Sequence, residues 1–366
     1  MTTIRQLQVE LENVAPLSIQ EDYDNCGLLV GHSDTEITNI LVCLDCTEAI
    51  LDEALSKKCN LIVAHHPLIF KGIKKLNGSN AIERTIIKAL KNNVAIYALH
   101  TNLDNVLHRG VNSKIAEKLN LQHLKILAPK TQKLAKLVTF VPLEHADELR
   151  KALFEAGAGH IGNYDSCSFN TGGTGTFKGN KKSNPFVGAK EILHTENETR
   201  IETVFPVFKQ ATILEALLKC HPYEEVAYDI YGLENEWPLI GSGMIGELQA
   251  AMQATDFLAM LKKAMNIEVI KFTPFNKPIK KIALCGGSGS FLLSKALQAQ
   301  ADVFISSDFK YHEFFDAEGR IMICDVGHYE SEQFTSELII EIIRDKFANF
   351  APILAETNTN PVNYYY

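Results

Sequence analysis

Two adjacent histidines, His65 and His66, end the apolar run in "NLIVAHHPLIF", and a proline follows them. Imidazole nitrogens at a strand end suit metal ligation or proton transfer. Neighbouring side chains of a strand point to opposite faces, so the pair is a poor pincer for one ion but can reach two different points. Pro67 biases His66 towards extended backbone and stops the strand from continuing inside a ladder. Alone, the pair is most simply two polar residues closing a strand. It gains chemical meaning only with partners.

Two further strand ends supply them. "IYALHTNLDN" runs from strand to His100 and then Asp104, and "IMICDVGHYESE" from strand through Gly327 to His328 and Glu332. His328 and Glu332 stand i and i+4, on one side of a helix that opens there. Singly, a histidine at a helix start is a cap and Asp104 a turn residue. Together, three βα loops of one sheet would bring His65, His66, Asp104, His328 and Glu332 to its carboxyl edge, where open α/β sheets bind ligands. Five candidate metal ligands, two of them carboxylates able to bridge, are too many for one open tetrahedral zinc. They suit two divalent ions about 3.5–4 Å apart, one histidine of the pair serving each. Imidazole with carboxylate accepts Zn, Fe, Mn or Ni, which leaves the metal open. His100 is a candidate to support a ligand or touch substrate. A fourth strand, "ADVFIS", leads into "SSDFKYHEFFDA", which adds Asp308 and His312. His100, Asp308 and His312 are the candidate catalytic residues, the plain alternative for the last two being an N-cap aspartate and a helix-surface histidine. No G-x-S-x-G nucleophile motif is present, which leaves a metal-bound water as the expected nucleophile.

These residues need a scaffold of alternating strands and helices. Strands are expected at 37–45, 60–64 and 94–100, with helices at 47–58, 80–93 and 111–120 between and after them. That alternation predicts a mainly parallel sheet covered on both faces. The texture changes near Lys130. A strand at 136–142, a helix at 144–158, strands around 165–177 and 199–207, a helix at 210–221 and a strand at 224–232 follow in the order βαββαβ. That is the order of a ferredoxin-like split unit. The Gly-, Asn- and Ser-rich span 170–188 suits turns and a mobile loop. The first texture returns after Pro238, with a helix at 254–266, a strand at 280–285, a helix at 291–300 and a long helix from about Glu330 to Phe347. The expected fold is therefore α/β, with mainly parallel or mixed sheets and flanking helices, interrupted by a ferredoxin-like α+β insert. The boundaries are 1–128 with 238–366 for the discontinuous domain and 129–237 for the insert.

Composition narrows the rest. The chain has 366 residues, suggestive of two domains, and 46% are hydrophobic, ample for both cores. No run approaches the ~18 apolar residues of a membrane span, and the start carries no signal-peptide core. The eight cysteines are scattered, several in apolar strands, as expected for reduced thiols in a cytoplasmic protein. Cys43 and Cys46 form a lone C-x-x-C, without the second pair a zinc ribbon needs. A net charge of −8 makes nucleic acid an unlikely partner. Bound metal ions would still allow an anionic substrate. "GGSGS" (286–290), "FKGIKK" (70–75) and Asn25 with Gly27 in "DYDNCGLLVG" read first as a tight turn, a solvated lysine cluster and a structural turn, with pocket roles as the alternative.

"DYDNCGLLVG", "AHHPLIF", "HTNLD" and "GHYESE", in that order on the two flanks of the chain, resemble the NIF-three-like family. Its members carry the name type 2 GTP cyclohydrolase I. The resemblance implies a dinuclear metal site on His65, His66, Asp104, His328 and Glu332, and a ring-like homohexamer built from trimers or dimers. "HPYEEVAYDIY" (221–231) resembles the PII/CutA-like, trimer-forming insert of longer bacterial members. Two expectations follow. One is a dinuclear-metal hydrolase for a small molecule, either GTP, whose imidazole ring is opened with release of formate, or another nucleotide or phosphoester. The alternative is a non-enzymatic metal-binding regulatory or scaffold hexamer.

Overall fold

Thr3 and Gln6 each bond the other's backbone N–H and so start the first helix with a capping box. The computed structural model describes residues 2–347 and 351–365. In chain order come α1 (Ile4–Val14), β1 (Gly27–Val30), β2 (Ile40–Asp45), α2 (Glu48–Ser56), β3 (Leu61–His66), α3 (Ala81–Lys91), β4 (Ala95–Ala98), the single turn α4 (Thr101–Asp104), α5 (Val111–Lys118) and β5 (Gln122–Lys130). Next are β6 (Leu134–Pro142), α6 (Ala146–Glu155), β7 (Ser168–Phe177), β8 (His194–Pro206), α7 (Gln210–Cys220) and β9 (Tyr228–Leu233). The last stretch holds β10 (Trp237–Met252), α8 (Ala254–Ala264), β11 (Lys271–Phe272), β12 (Ile279–Ser288), α9 (Leu293–Gln298), β13 (Val303–Ser307), β14 (Met322–Asp325), α10 (His328–Glu332), α11 (Thr335–Lys346) and β15 (Ile353–Leu354). The chain divides into two units, Met1–Pro129 with Leu239–Tyr366, and Lys130–Pro238.

The first unit is a mixed α/β structure with two sheets. One has the order β1-β4-β3-β2-β15, parallel except for β1. The other has the order β11-β14-β13-β12-β10-β5, with β12, β13 and β14 parallel and the flanking β10 and β11 antiparallel to them. The three strand ends expected on one sheet are thus shared between two. β3 and β4 belong to the first, and β14, which leads to His328, to the second. The reason is that β12, β13 and β14 pair among themselves and form a parallel set of their own. Helices link the sheets: α11 packs on β2 and β3 and touches α5, while α5 and α10 pack on β12. Each sheet has its own apolar core, around Leu41, Ile62 and Ile96 in the first and Ala283, Phe304 and Ile323 in the second. Each fully buried Leu, Ile or Phe contributes ~1.5–3 kcal/mol.

The second unit has one antiparallel sheet, β7-β8-β6-β9, with α6 and α7 packed together over a core that includes Leu137, Leu149, Ile201 and Phe205. The loop expected over 170–188 begins only after Phe177. Asn170–Phe177 belong instead to edge strand β7, in keeping with the strand expected around 165–177, and cross-strand pairing with β8 overrides the low strand preference of three glycines. The single long helix expected from Glu330 is two helices. The break at Gln333–Phe334 is held by the Gln333 side chain, which donates to the carbonyls of Met265 and Glu330. Strands β1, β5 and β10 were not foreseen, since they lie outside the parallel sets of the two sheets: β1 and β10 pair antiparallel and β5 sits at a sheet margin.

Asn112, on α5, joins the two halves of the first unit. Its Nδ2 donates to the Asp104 carbonyl at 3.0 Å and its Oδ1 accepts from the Gly286 N–H at 2.9 Å. The residue is almost fully buried. Asn112→Ala would strand both groups, at a cost of ~1–3 kcal/mol. The expected outcome is a lower denaturation midpoint, and an unchanged midpoint would contradict this bridging role.

Candidate metal centre

Each histidine of the site is pinned through Nδ1, and the pins come from different elements. His65 Nδ1 lies 2.7 Å from the carbonyl of Leu99, at the end of β4. A carbonyl only accepts, so Nδ1 carries the proton and Nε2 is left as a lone-pair donor. His66 stands opposite Asp45 in the β2–β3 register, and its Nδ1 meets the Asp45 carboxylate at 2.7 Å. His100 Nδ1 meets Asp24 at 2.9 Å, and Asp24 also accepts from the backbone N–H and hydroxyl of Thr101. His328 Nδ1 meets Asp308 at 2.6 Å.

The freed Nε2 atoms converge on Glu332, which the first turn of α10 places four residues after His328. His65 Nε2 faces Oε1 at 3.7 Å, while His66 and His328 face Oε2 at 2.9 and 3.2 Å. Asp104 lies on the other side of His65, 3.9 Å from its Nε2. The rings of His65 and His66 stand side by side, centroids 4.8 Å apart, yet address different oxygens of Glu332. One ring nitrogen each of His65, His66 and His100 lie within 4.8 Å of one another, as do ligand atoms of His66, His328 and Glu332. Gly287, at φ +63°, makes room for Glu332, because a Cβ there would collide with Oε1.

Four of these atoms, His65 Nε2, His66 Nε2, Asp104 Oδ1 and Glu332 Oε2, are buried without an aligned hydrogen bond. The 2.9 Å approach of His66 to Glu332 is close enough in distance but lacks hydrogen-bond direction. Leaving one such group unsatisfied costs ~1–3 kcal/mol. Two imidazole nitrogens and two carboxylate oxygens meeting without aligned hydrogen bonds become the ligand set of a cation site once the rings are deprotonated, and these residues fit divalent metal ions.

The electrostatics agree. Burial raises the carboxyl of Asp104 above the usual carboxylate range, and the neighbouring charge of Glu332 raises it further. Burial also works to raise Glu332, but the imidazoles of His328, His65 and His66 close around it outweigh burial and push this carboxyl below its usual range. Burial lowers His65 to about 4. Burial opposes the charge on His66 too, but Asp45 and Glu332 lift it to about 10. Glu332, with Asp308, lifts His328 to about 9 against burial.

The cluster opens on a cavity of about 900 Å³. Exposed Tyr23, Phe70 and Phe291 stand at its wall, with Lys271, held 3.0 Å from Asp325. The C-terminal segment forms another side: Asn360 and Tyr364 donate to Glu330, and Thr359 donates to Asp45 at 2.6 Å. The structure thus brings together His65, His66, His100, Asp104, His328 and Glu332, with Asp308 touching His328. It does not bring in His312, which sits exposed on a short 3₁₀ turn beside Tyr311 and Phe315, outside the cavity lining. The left-handed backbone of Asp308 (φ +60°) precedes that turn. Gly286, Gly287 and Ser288 of "GGSGS" line the cavity as the end of β12. Lys71, Lys74 and Lys75 do not, nor do Asn25, whose side chain donates to the Ile69 carbonyl, and Gly27. Cys285 lines the cavity, but burial and the charges of Asp104 and Glu332 push its thiol up, away from thiolate chemistry.

Sequence reasoning missed Asp24, Asp45 and the C-terminal wall. Asp45 had a signal, since it ends strand β2 at the same carboxyl edge as His66. Asp24 had none beyond its place beside the two residues singled out in "DYDNCGLLVG".

Fold and site together define a mixed α/β protein with a histidine–carboxylate centre suited to cations. A family model, Duf34/NIF3 (NGG1p interacting factor 3), matches residues 2–361. A "GTP cyclohydrolase 1 type 2 homolog" of Halalkalibacterium halodurans is 38% identical over 360 residues, 96% of each chain. Another protein of that name, from Bacillus subtilis, is 36% identical over 359 residues, again 96% of each. Among solved structures, a Bacillus cereus protein related to NIF3 superposes with a TM-score of 0.85 at 35% identity, covering 100% of this chain and 99% of that one. The chain belongs to the Duf34/NIF3 family.

Metal ligands must be deprotonated, so loading the metal-free protein should expel protons. At pH 7.5, below the raised values of His66 and His328, both rings are protonated. Zinc titrated calorimetrically in two buffers of different ionisation enthalpy should show net proton release, shrinking as pH rises through about 9 and 10. Heats that do not depend on the buffer would contradict this electrostatic account.

Proposed function

We propose that this chain is a hydrolase that depends on two divalent metal ions held by His65, His66, Asp104, His328 and Glu332. The observation that carries the reading is the set of four buried ligand atoms without aligned partners, placed on a cavity of about 900 Å³, a volume suited to a small-molecule substrate. A purely structural metal site would be closed by its protein ligands, whereas this one meets open space. Glu332 supports the count of two, since its oxygens face different histidines. Bound ions would supply Lewis acidity and lower the pKa of water in the cavity.

The protein's own part is positioning and proton handling. Asp24 orients His100 with its proton on Nδ1, so that Nε2 can accept a proton at the cavity. Burial works to raise the carboxyl of Asp24, but its bonds from His100 and Thr101 hold it far below the usual range, as a fixed negative partner. Asp308 acts through His328 as a positioning residue. His312 has no part in this scheme.

The substrate reading is GTP, opened at its imidazole ring with release of formate, or another nucleotide or phosphoester. The name carried by the Halalkalibacterium and Bacillus subtilis relatives supports the first. The reading extends to a cytoplasmic homohexamer. The eight free cysteines and the lack, among the described residues, of any helix long and apolar enough to cross a membrane accord with that compartment. We also read Lys130–Pro238 as a ferredoxin-like, PII/CutA-like insert, supported by its βαββαβ order and its sheet order.

The test pairs metal content with turnover. Protein purified without oxygen should carry about two ions per chain, and a His65→Ala, Glu332→Ala double variant should carry close to none. With metal restored, GTP should yield formate, or a phosphoester should yield phosphate, and His100→Ala should slow turnover ~10²–10⁴-fold with little change in metal content. Two tightly held ions without turnover of any of these substrates would contradict the hydrolase and favour the non-enzymatic assembly.

A further inference from the structure

The second unit holds a cavity of its own, of about 590 Å³. It lies against the glycine-bearing half of edge strand β7, beneath the loop around Phe186 and beside the turn that carries Tyr223. Its walls are flat and aromatic. Phe177 and Phe186 both contact the Tyr223 ring, at centroid distances of 5.9 and 6.4 Å, and Phe140 lies under the Arg200 guanidinium. Gly172 and Gly173 have open space where side chains would stand, so a ligand can approach the strand backbone closely. The loop is fastened to the turn by the Asn184 N–H, which donates to Glu224 at 2.6 Å.

Of the three carboxylates that line this cavity, Glu198, Glu224 and Glu225, only Glu198 is buried. Glu198 is only 8% exposed. Its Oε1 accepts from the Tyr223 hydroxyl at 2.8 Å, and its Oε2 lies over Gly175, where a Cβ would collide with it. Among the described residues no cation pairs with Glu198. The guanidinium of nearby Arg200 is committed to Glu202, at 2.8 Å. A nearly buried carboxylate with an unused oxygen is costly unless donors reach it. Aromatic walls on a glycine floor select a flat ring, and the carboxylate selects a ring edge that presents N–H groups. A guanine edge offers two adjacent N–H donors, whereas an adenine edge sets a ring acceptor beside its amine and would meet Glu198 with repulsion.

We propose that the cavity of the second unit binds a flat nitrogen heterocycle with adjacent N–H donors, of the guanine type, with Glu198 as the receptor for those donors and the phenylalanines as stacking walls. This site is separate from the metal centre and does not depend on the hydrolase reading.

Guanosine, titrated into the full-length protein and followed by calorimetry and saturation-transfer NMR, is the probe. Wild type is expected to bind guanosine and to bind inosine, which lacks the exocyclic amine, at least about tenfold more weakly. Glu198→Gln should weaken guanosine about tenfold or more, and Phe186→Ala, a change at an exposed position that spares the core, should weaken it as well. Neither variant should alter metal content. His328→Ala, which removes any contribution of the metal centre, should leave the Glu198-dependent component of binding in place. Absence of guanosine binding in wild type would overturn the proposal, as would full-strength binding in both Glu198→Gln and Phe186→Ala. Binding lost in His328→Ala and kept in Glu198→Gln would assign guanosine to the metal centre and overturn it equally.

Discussion

Two carboxylates, the buried Glu332 and the part-buried Asp104, face a knot of imidazoles without aligned hydrogen bonds to satisfy them all, and much of the first unit is arranged around that constraint. In a low-dielectric interior two such charges cannot both persist without a cation. In the metal-free protein the two carboxyls are pushed apart, Asp104 upwards by burial and the charge of Glu332, and Glu332 downwards by the three histidines around it. A protein would rarely retain four nearly convergent, unpartnered ligand atoms unless something else binds them. The repulsion that burdens the empty cluster is the attraction available to a divalent ion.

The rest of the unit holds these groups still. Strand β3 carries both histidines out of the middle of a parallel sheet, so their backbone is fixed by neighbours on either side. The Leu99 carbonyl, Asp45, Asp24 and Asp308 then fix the rings one by one through Nδ1. The second sheet delivers His328 and Glu332, and Asn112 ties that sheet to the loop carrying Asp104. Thr359, from the C-terminal segment, bonds the same Asp45 that orients His66, so one wall of the cavity is coupled to a ligand's orientation. Ligand basicity and ring angle are thus set by groups outside the cluster, as metal sites generally require.

Much of this was legible in the sequence because strand ends are. An apolar run that stops on a histidine or an aspartate marks the edge of a sheet, and four such runs carry His65 and His66, His100, Asp308 and His328. What the runs could not tell was sheet membership. Parallel strands look alike in sequence, so the division into two sheets, and with it the meeting of β3 and β14 ends across helices, was hidden. Strands β1, β5 and β10 escaped because each stands outside the parallel sets that the alternation marks. His312 shared a motif with Asp308, but the left-handed turn at Asp308 and the short 3₁₀ helix after it leave the histidine exposed outside the cavity lining. Asp24 is far from every other site residue along the chain, and only the folded loop shows it beneath His100. The cavity of the second unit was hidden by its composition, since glycines that read as a loop form a strand whose bareness creates the space.

The central claim is that one cluster holds two ions, divided by Glu332. X-ray absorption at the edge of the bound metal, on full-length protein loaded to saturation, tests it most directly. The account predicts nitrogen and oxygen ligands only, with metal–metal scattering at about 3.5–4 Å. A single ion without that scattering, or sulfur in its ligand shell, would contradict it.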